Sequence, residues 1–196
     1  YSDISTFSFH PVKPITTGEG GMITTNNKKI YDKLLLLRTH GITKNKKKFI
    51  NKKLAFDNKG NQNLWYYEML DLGYNYRITD IQASLGSSQL KRLDKFTKSR
   101  KKIAQIYDQQ FTSNPFIITP KVSKNVSHAY HLYTLIIDFV GINKSRNKIM
   151  HELRKLNIGS QVLYIPVNLQ TYYLKKNNFI NKNFPNTLKY YYSCLS

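Results

Sequence analysis

One lysine of this 196-residue chain is placed where it could act as a nucleophile. Lys13 lies between Pro11 and Pro14, after a β-prone run at residues 4–9 and before the glycine-rich turn GEGG at residues 18–21. Each proline fixes its own φ and favours extended backbone at the residue before it. Lysine amines become reactive through desolvation or a nearby cation and then form imines with carbonyl compounds. The pattern is typical of a nucleophilic lysine, and the alternative is a solvated loop lysine, which is common in a chain with 31 Lys and Arg.

The elements around this lysine can be predicted from the local patterns. Residues 1–25 have the pattern of a β-turn-β unit, and a helix is expected at residues 28–40 with an asparagine N-cap. Thr79 and Gln82 form a capping box that predicts a second helix start. The apolar stripe that follows continues without proline to Pro115, so we expect one helix of about thirty residues, on the order of 45 Å long.

The second half of the chain alternates between strand and helix patterns. Strands are expected at residues 116–119, 130–139 and 160–165, a helix at residues 144–156 and a loop at residues 179–186. This order predicts a small α+β domain.

Composition limits the classes of partner. The net charge of +20 suggests a nucleic-acid partner, but the lysines are spread along the chain and no zinc-finger, RNP or helix-turn-helix pattern is present, so no nucleic-acid partner is expected. A single cysteine, Cys194, excludes an internal disulfide and favours the cytoplasm. No apolar run approaches the roughly 20 residues of a membrane helix, and His128 and His131 lack partners at metal spacing. Neither a membrane nor a metal is expected.

Three segments, in order along the chain, carry a family resemblance. They are SFHPVK at residues 8–13 with its GEGG turn, LGYNYRITDIQASLG at residues 72–86, and QVLYIPV at residues 161–167. Together they resemble the DegT/DnrJ/EryC1/StrS sugar-nucleotide aminotransferases, most of all the branch that aminates C4 of a UDP-linked 4-keto sugar for pseudaminic acid synthesis. Leu163 and Asn168 depart from the resemblance, since family members often carry histidine at both positions.

The resemblance implies pyridoxal 5'-phosphate as the cofactor, with Lys13 as the catalytic residue that binds it covalently. It implies that Ser8 hydrogen-bonds the cofactor phosphate and that His10 lies near the cofactor in a mainly structural role. The alternative for Ser8 is a strand serine that faces solvent.

Further implied residues concern the substrate and a partner subunit. Asn75 is expected to reach the cofactor phosphate of the other subunit in a homodimer with shared active sites; the alternative is a turn asparagine. Arg77 is a candidate for binding a substrate carboxylate or diphosphate, or else a surface ion-pair partner. Tyr164 is expected near the mouth of the substrate site.

The resemblance also implies a fold and a division of the chain. The fold would be that of the α/β, fold type I pyridoxal-phosphate transferases, similar to aspartate aminotransferase. Residues 1–96 would be the end of the large cofactor-binding domain and residues 97–196 most of the small C-terminal α+β domain. Family members are about twice this length, so the chain is expected to be a fragment that lacks the N-terminal half and the extreme C-terminus, and to be inactive alone.

The expected reaction follows from the family. Glutamate would donate an amino group to C4 of a UDP-linked 4-keto-6-deoxy N-acetyl hexose. Alternatives are a dTDP- or GDP-linked keto sugar, a basic binding fragment without catalysis, and a gene remnant without activity. The lysine-rich residues 42–64 are expected to be a solvated loop; the alternative is a lid whose positive field steers the substrate diphosphate.

Overall fold

The computed structural model describes residues 2–176 and 184–196. The chain divides into two compact units, Tyr1–Leu93 and Asp94–Ser196. The assignment of residues 1–96 and 97–196 to a large and a small aminotransferase domain stays a prediction. Most of the loop expected at residues 179–186 lies outside the described residues.

The first unit begins with the expected β-turn-β unit. Strand β1 (Ser5–Ser8) pairs antiparallel with strand β2 (Gly21–Thr24), and Ser8 lies opposite Gly21. Helix α1 (Lys28–Leu37) follows, and the Asn27 side chain accepts hydrogen bonds from the backbone N–H groups of its first turn. Asparagine caps a helix because its side-chain oxygen satisfies amides that have no partner within the helix.

The lysine-rich segment is more ordered than the sequence predicts. Strand β3 (Ile42–Thr43) pairs with strand β4 (Glu68–Met69), and a 3₁₀ turn (Lys46–Lys48) and helix α2 (Lys52–Ala55) lie between them. The Glu68 carboxylate accepts hydrogen bonds from the N–H groups of residues 50 and 51. The short elements enclose a small buried cluster, which consists of Phe49, Ala55 and Tyr66.

The prediction of a single long helix after the capping box is wrong. Helix α3 (Asp80–Leu90) ends before helix α4 (Leu93–Phe111) begins. Near the end of α3 the Ser87 hydroxyl donates to the Ala83 carbonyl at 2.9 Å, a contact that often bends helices. The Arg92 N–H then donates to the carbonyl of Gln89, three residues earlier, which tightens the last turn. The apolar spacing continues across this break, so periodicity alone did not reveal it.

The second unit contains α4 and a three-stranded antiparallel sheet. Strand β6 (Leu135–Ile137) lies between β5 (Ile117–Ile118) and β7 (Cys194–Leu195). The remaining helices are α5 (Arg146–Lys155), α6 (Thr171–Lys176) and α7 (Pro185–Ser193). The prediction of a strand at residues 160–165 is wrong, because the central strand β6 pairs with β7. Within residues 160–165, Gln161 exchanges backbone hydrogen bonds with Ser196, at 2.7 and 2.9 Å.

Within residues 2–176 and 184–196, no helix combines the length and the apolar character that a membrane crossing requires.

Candidate active site

The turn that carries Lys13 is closed at its base by one residue, Phe9. The Phe9 N–H donates to the Gly20 carbonyl at 2.9 Å. The Phe9 carbonyl accepts from the Thr17 N–H at 3.0 Å and from the Thr16 hydroxyl at 2.9 Å. Both backbone groups of Phe9 are therefore used to hold the ends of residues 10–16 together. We call residues 9–21 the Lys13 turn.

Two of the predicted site residues, His10 and Lys13, lie on this turn, and a third, Ser8, directly precedes it. The Lys13 N–H donates to the His10 carbonyl at 2.9 Å, and Lys13 is half-buried. Ser8 and His10 are exposed at the end of β1. The Ser8 hydroxyl oxygen accepts a long hydrogen bond of 3.5 Å from the His10 N–H, so its own hydrogen is not used in this contact. The turn and the end of β1 thus present an amine, an imidazole and a hydroxyl.

The His10 ring is oriented by contacts on both of its nitrogens. Its Nδ1 accepts from the Val12 N–H at 3.4 Å, so in the neutral ring Nε2 carries the hydrogen. Nε2 lies 3.9 Å from the Glu19 carboxylate oxygen. Both side chains are well exposed, and water screens such a pair, so it contributes more to the orientation of His10 than to stability.

Two glycines, Gly20 in the turn and Gly86 on α3, are required by close packing around Thr17. Thr17 is 3% exposed, and its hydroxyl donates to the Glu19 carbonyl at 2.7 Å. A Cβ at Gly20 would lie 2.4 Å from the Thr17 hydroxyl oxygen, closer than real contacts allow. A Cβ at Gly86, on α3, would lie 2.8 Å from the Thr17 methyl carbon. Sequence reasoning missed Thr17, although the TTGEGG run (residues 16–21) placed a small hydroxyl residue beside the glycine turn.

The start of α3 contacts the same turn. The predicted capping box is confirmed: the Thr79 hydroxyl oxygen accepts from the Gln82 N–H, and Gln82 Oε1 accepts from the Thr79 N–H at 3.1 Å. The side-chain nitrogen of Gln82, Nε2, donates to the Glu19 backbone carbonyl at 2.9 Å. This last contact links residues 63 positions apart and has no signal in the local sequence pattern.

Asn75 and Arg77 lie in the segment that leads into α3, and both are exposed. Asn75 forms an antiparallel bridge with Thr39, just after α1. The rings of its neighbours Tyr74 and Tyr76 stack at 4.8 Å. The backbone of Asn75 is thereby fixed while its side chain lies at the surface; its predicted role and that of Arg77 stay predictions.

Tyr164 lies in the second unit and is 69% exposed. Its neighbour Leu163 is buried, so this position, where family members often carry histidine, is part of the packing of the second unit. The Asn168 side-chain nitrogen is buried and has no hydrogen-bond partner among the described residues. The substrate role of Tyr164 stays a prediction.

Two cavities in the second unit are lined by none of the predicted site residues. One, of about 150 Å³, is lined by side chains of α4 and of residues 122–130; the other, of about 380 Å³, is lined by β5, residues 136–140 and α7. Across residues 2–176 and 184–196, no three His, Cys, Asp or Glu side chains gather as metal ligands would.

Residues 1–196 match the DegT/DnrJ/EryC1/StrS aminotransferase family. The chain belongs to this family. It is 42% identical over 184 residues to the uncharacterized protein MJ1066 of Methanocaldococcus jannaschii, covering 94% of this chain and 45% of that protein. It is 38% identical over 174 residues to the UDP-4-amino-4,6-dideoxy-N-acetyl-beta-L-altrosamine transaminase of Campylobacter jejuni, covering 89% of this chain and 42% of that enzyme.

Solved structures of family members confirm the fold. Helicobacter pylori PseC, described as an aminotransferase of pseudoaminic acid biosynthesis, superposes with a TM-score of 0.82 at 28% identity over 100% of this chain and 47% of its own. The putative sugar aminotransferase Spr1654 of Streptococcus pneumoniae, in its PLP form, gives a TM-score of 0.81 at 29% identity, with 99% and 46% covered. The α/β fold of these aminotransferases is therefore the fold of this chain. The chain spans a little under half the length of each of these proteins.

Proposed function

We propose that the full-length gene product is a pyridoxal-phosphate-dependent aminotransferase that acts on a nucleotide-linked keto sugar, with Lys13 as the residue that binds the cofactor. The observation that carries the proposal is the Lys13 turn, which holds an amine and an imidazole on one closed loop directly after the Ser8 hydroxyl at the end of β1. Membership of the DegT/DnrJ/EryC1/StrS aminotransferase family supports it, as does the PLP form of the pneumococcal neighbour.

The residues on the turn fit this cofactor chemically. Lys13 supplies the primary amine that an aldehyde group needs. Ser8 supplies a hydroxyl whose hydrogen is not used by its contact with the His10 N–H, so it can donate to a phosphate oxygen. His10, which accepts from the Val12 N–H and faces Glu19, supplies a planar ring beside them.

The reaction divides between the cofactor and the protein. When bound, the cofactor supplies the electron sink that lets an amino group move between two carbon atoms. Lys13 would hold the cofactor through its Nζ, and its free amine would accept and return a proton at the reacting carbon. The Arg77 guanidinium, exposed before α3, is suited to a carboxylate or a diphosphate because its fork of N–H groups donates two parallel hydrogen bonds.

The proposed donor is glutamate and the proposed acceptor is a UDP-linked 4-keto-6-deoxy N-acetyl hexose. The names of the Campylobacter and Helicobacter relatives support this acceptor. Tyr164 is a proposed substrate-binding residue, and the lysines of residues 44–53 would attract the diphosphate through their positive field. We place the enzyme in the cytoplasm, where the free Cys194 stays reduced.

The proposed assembly is a homodimer in which Asn75 completes the neighbouring active site. Asn75 is suited to this because its backbone is fixed by the bridge to Thr39 while its side chain lies at the surface. Its position before the N-terminus of α3 also places it where anions such as phosphate are favoured.

Borohydride reduction tests the cofactor assignment directly. The full-length gene product is incubated with pyridoxal phosphate, reduced and digested, and the pyridoxyl group is located by mass spectrometry. We expect it on Lys13, lost in Lys13→Ala and retained in Lys59→Ala, which removes an amine from an exposed turn and serves as the matched control. A pyridoxyl group found on another lysine of the wild type would overturn the assignment.

Substrate assays separate the sugar alternatives. Glutamate is offered with UDP-, dTDP- and GDP-linked 4-keto sugars in parallel, and 2-oxoglutarate is measured together with the aminated sugar. Turnover with the UDP-linked sugar supports the proposal. Preference for a dTDP- or GDP-linked sugar would replace the acceptor and leave the assignment of Lys13 intact.

A further inference from the structure

Gln82 makes one contact beyond its part in the helix cap. Its Oε1 accepts from the Thr79 N–H at 3.1 Å and so completes the capping box of α3. Its Nε2 donates to the Glu19 carbonyl at 2.9 Å. One amide side chain therefore joins the N-terminus of α3 to the Lys13 turn.

The Glu19 carbonyl is the point where the Lys13 turn is held from two sides. It accepts from the Thr17 hydroxyl at 2.7 Å within the turn and from Gln82 outside it. The next residue, Gly20, accepts the Phe9 N–H that closes the base of the turn. The Glu19 side chain in turn faces His10. A displacement of Glu19 would therefore change the base of the turn and the orientation of His10 together.

The contacts within the turn do not fix it to the rest of the unit. The hydrogen bonds of Phe9 with Thr16, Thr17 and Gly20 all lie inside residues 9–21. The van der Waals approach of Thr17 to Gly86 is apolar and sets a distance rather than a direction. The hydrogen bond from Gln82 adds a directional contact to the pairing of β1 and β2 at the ends of the turn, because it requires alignment of donor and acceptor.

We propose that Gln82 is a positioning residue, which acts through the Glu19 carbonyl to hold the Lys13 turn in the geometry that accepts the cofactor. The inference rests on the proposed function, since it takes Lys13 as the cofactor-binding residue. It predicts that loss of the donor at position 82 loosens the turn and slows incorporation of the cofactor, even when α3 is fully capped.

Gln82→Glu separates the two contacts of this side chain. Glutamate at the third helical position completes a capping box as well as glutamine does, and its charge is favourable at a helix N-terminus. It has no hydrogen to donate to the Glu19 carbonyl. Gln82→Met removes both contacts and is the matched control for loss of the cap.

The experiment uses the full-length gene product and two measurements. Hydrogen exchange of the cofactor-free protein reports the amides of residues 9–21 and, separately, those of α3. The rate at which pyridoxal phosphate becomes reducible onto Lys13 reports the positioning. In Gln82→Glu we expect exchange in residues 9–21 to accelerate and incorporation to slow, each roughly threefold to tenfold, the effect of one net hydrogen bond. Exchange in α3 should stay at the wild-type rate in Gln82→Glu and accelerate in Gln82→Met.

The outcomes distinguish failure of the inference from failure of the proposed function. A Gln82→Glu variant that matches the wild type in either measurement overturns the positioning role and leaves Gln82 as a helix cap. Failure of the proposed function appears in the wild type itself, as absence of the pyridoxyl group from Lys13. The exchange measurement still decides in that case whether Gln82 orders the turn.

Discussion

The methyl group of Thr17 lies directly against Gly86, so close that a Cβ at Gly86 would lie 2.8 Å from the Thr17 methyl carbon. This approach connects the turn that carries Lys13 with a helix 69 positions later in the chain. Thr17 is also one of the most buried polar residues of the described chain. The glycine of α3 is therefore explained by packing against the turn.

This contact predicts a reversal of the usual effect of replacing glycine in a helix. Gly86→Ala would ordinarily stabilise α3 by about 1 kcal/mol. Here we expect it to destabilise the protein, because overpacking a tight contact typically costs about 1–3 kcal/mol. Thr17→Ser removes the methyl group and keeps the hydroxyl that donates to Glu19. In the Thr17→Ser background, Gly86→Ala should be stabilising.

A double-mutant cycle from urea unfolding of the full-length gene product measures this coupling. Ser88→Ala, at an exposed position of the same helix, is the control for helix propensity alone. Equal effects of Gly86→Ala in the two backgrounds would contradict the packing explanation.

The proposed homodimer predicts complementation between two inactive variants. Lys13→Ala removes the amine from one site, and Asn75→Ala removes the amide that would serve the partner's site. In a mixed dimer one of the two sites carries neither change. The mixed dimer should therefore have about half of the activity of a wild-type dimer. The measurement is turnover of glutamate after co-expression with two affinity tags and isolation of the heterodimer. An isolated heterodimer without activity would show that Asn75 acts within its own subunit or has no role.

Tyr133 and Asp108 predict a dependence of stability on alkaline pH. The Tyr133 hydroxyl donates to an Asp108 carboxylate oxygen at 2.6 Å. Burial, together with this carboxylate, raises the pKa of Tyr133 above its ordinary value of 10.0. As the pH rises, the unfolded chain loses this proton before the folded chain does. The contribution of the Tyr133 hydroxyl to the free energy of unfolding is therefore complete below pH 10 and is lost as the pH rises above that value.

Tyr133→Phe isolates this contribution. We expect it to lower the free energy of unfolding by about 1 kcal/mol at neutral pH, the net value of one hydrogen bond. The difference between variant and wild type should shrink as the pH rises above 10. Urea unfolding at several pH values measures it, and Tyr192→Phe, at a position that is 63% exposed, is the control. A difference that stays constant with pH would exclude the link to the Tyr133 proton.

The local sequence determined those features that depend on a few neighbouring residues. The asparagine cap of α1, the capping box of Thr79 and Gln82, and the β-turn-β unit around Lys13 are all present. The two caps depend on side chains within about four positions of the backbone groups that they satisfy, and the two strands of the β-turn-β unit are joined by one short connection, so all three are specified by nearby residues. The family resemblance, carried by three short segments, likewise identified the fold.

The tertiary structure decided what depends on distant contacts. The break between α3 and α4 interrupts an apolar stripe that continues in the sequence, and the sheet of the second unit takes residues 194–195 as its third strand, where residues 160–165 were expected. The contacts of Glu19 with Gln82 and of Thr17 with Gly86 each join residues more than sixty positions apart. Local propensity has no information about such pairs, because their energy exists only after the chain has brought them together.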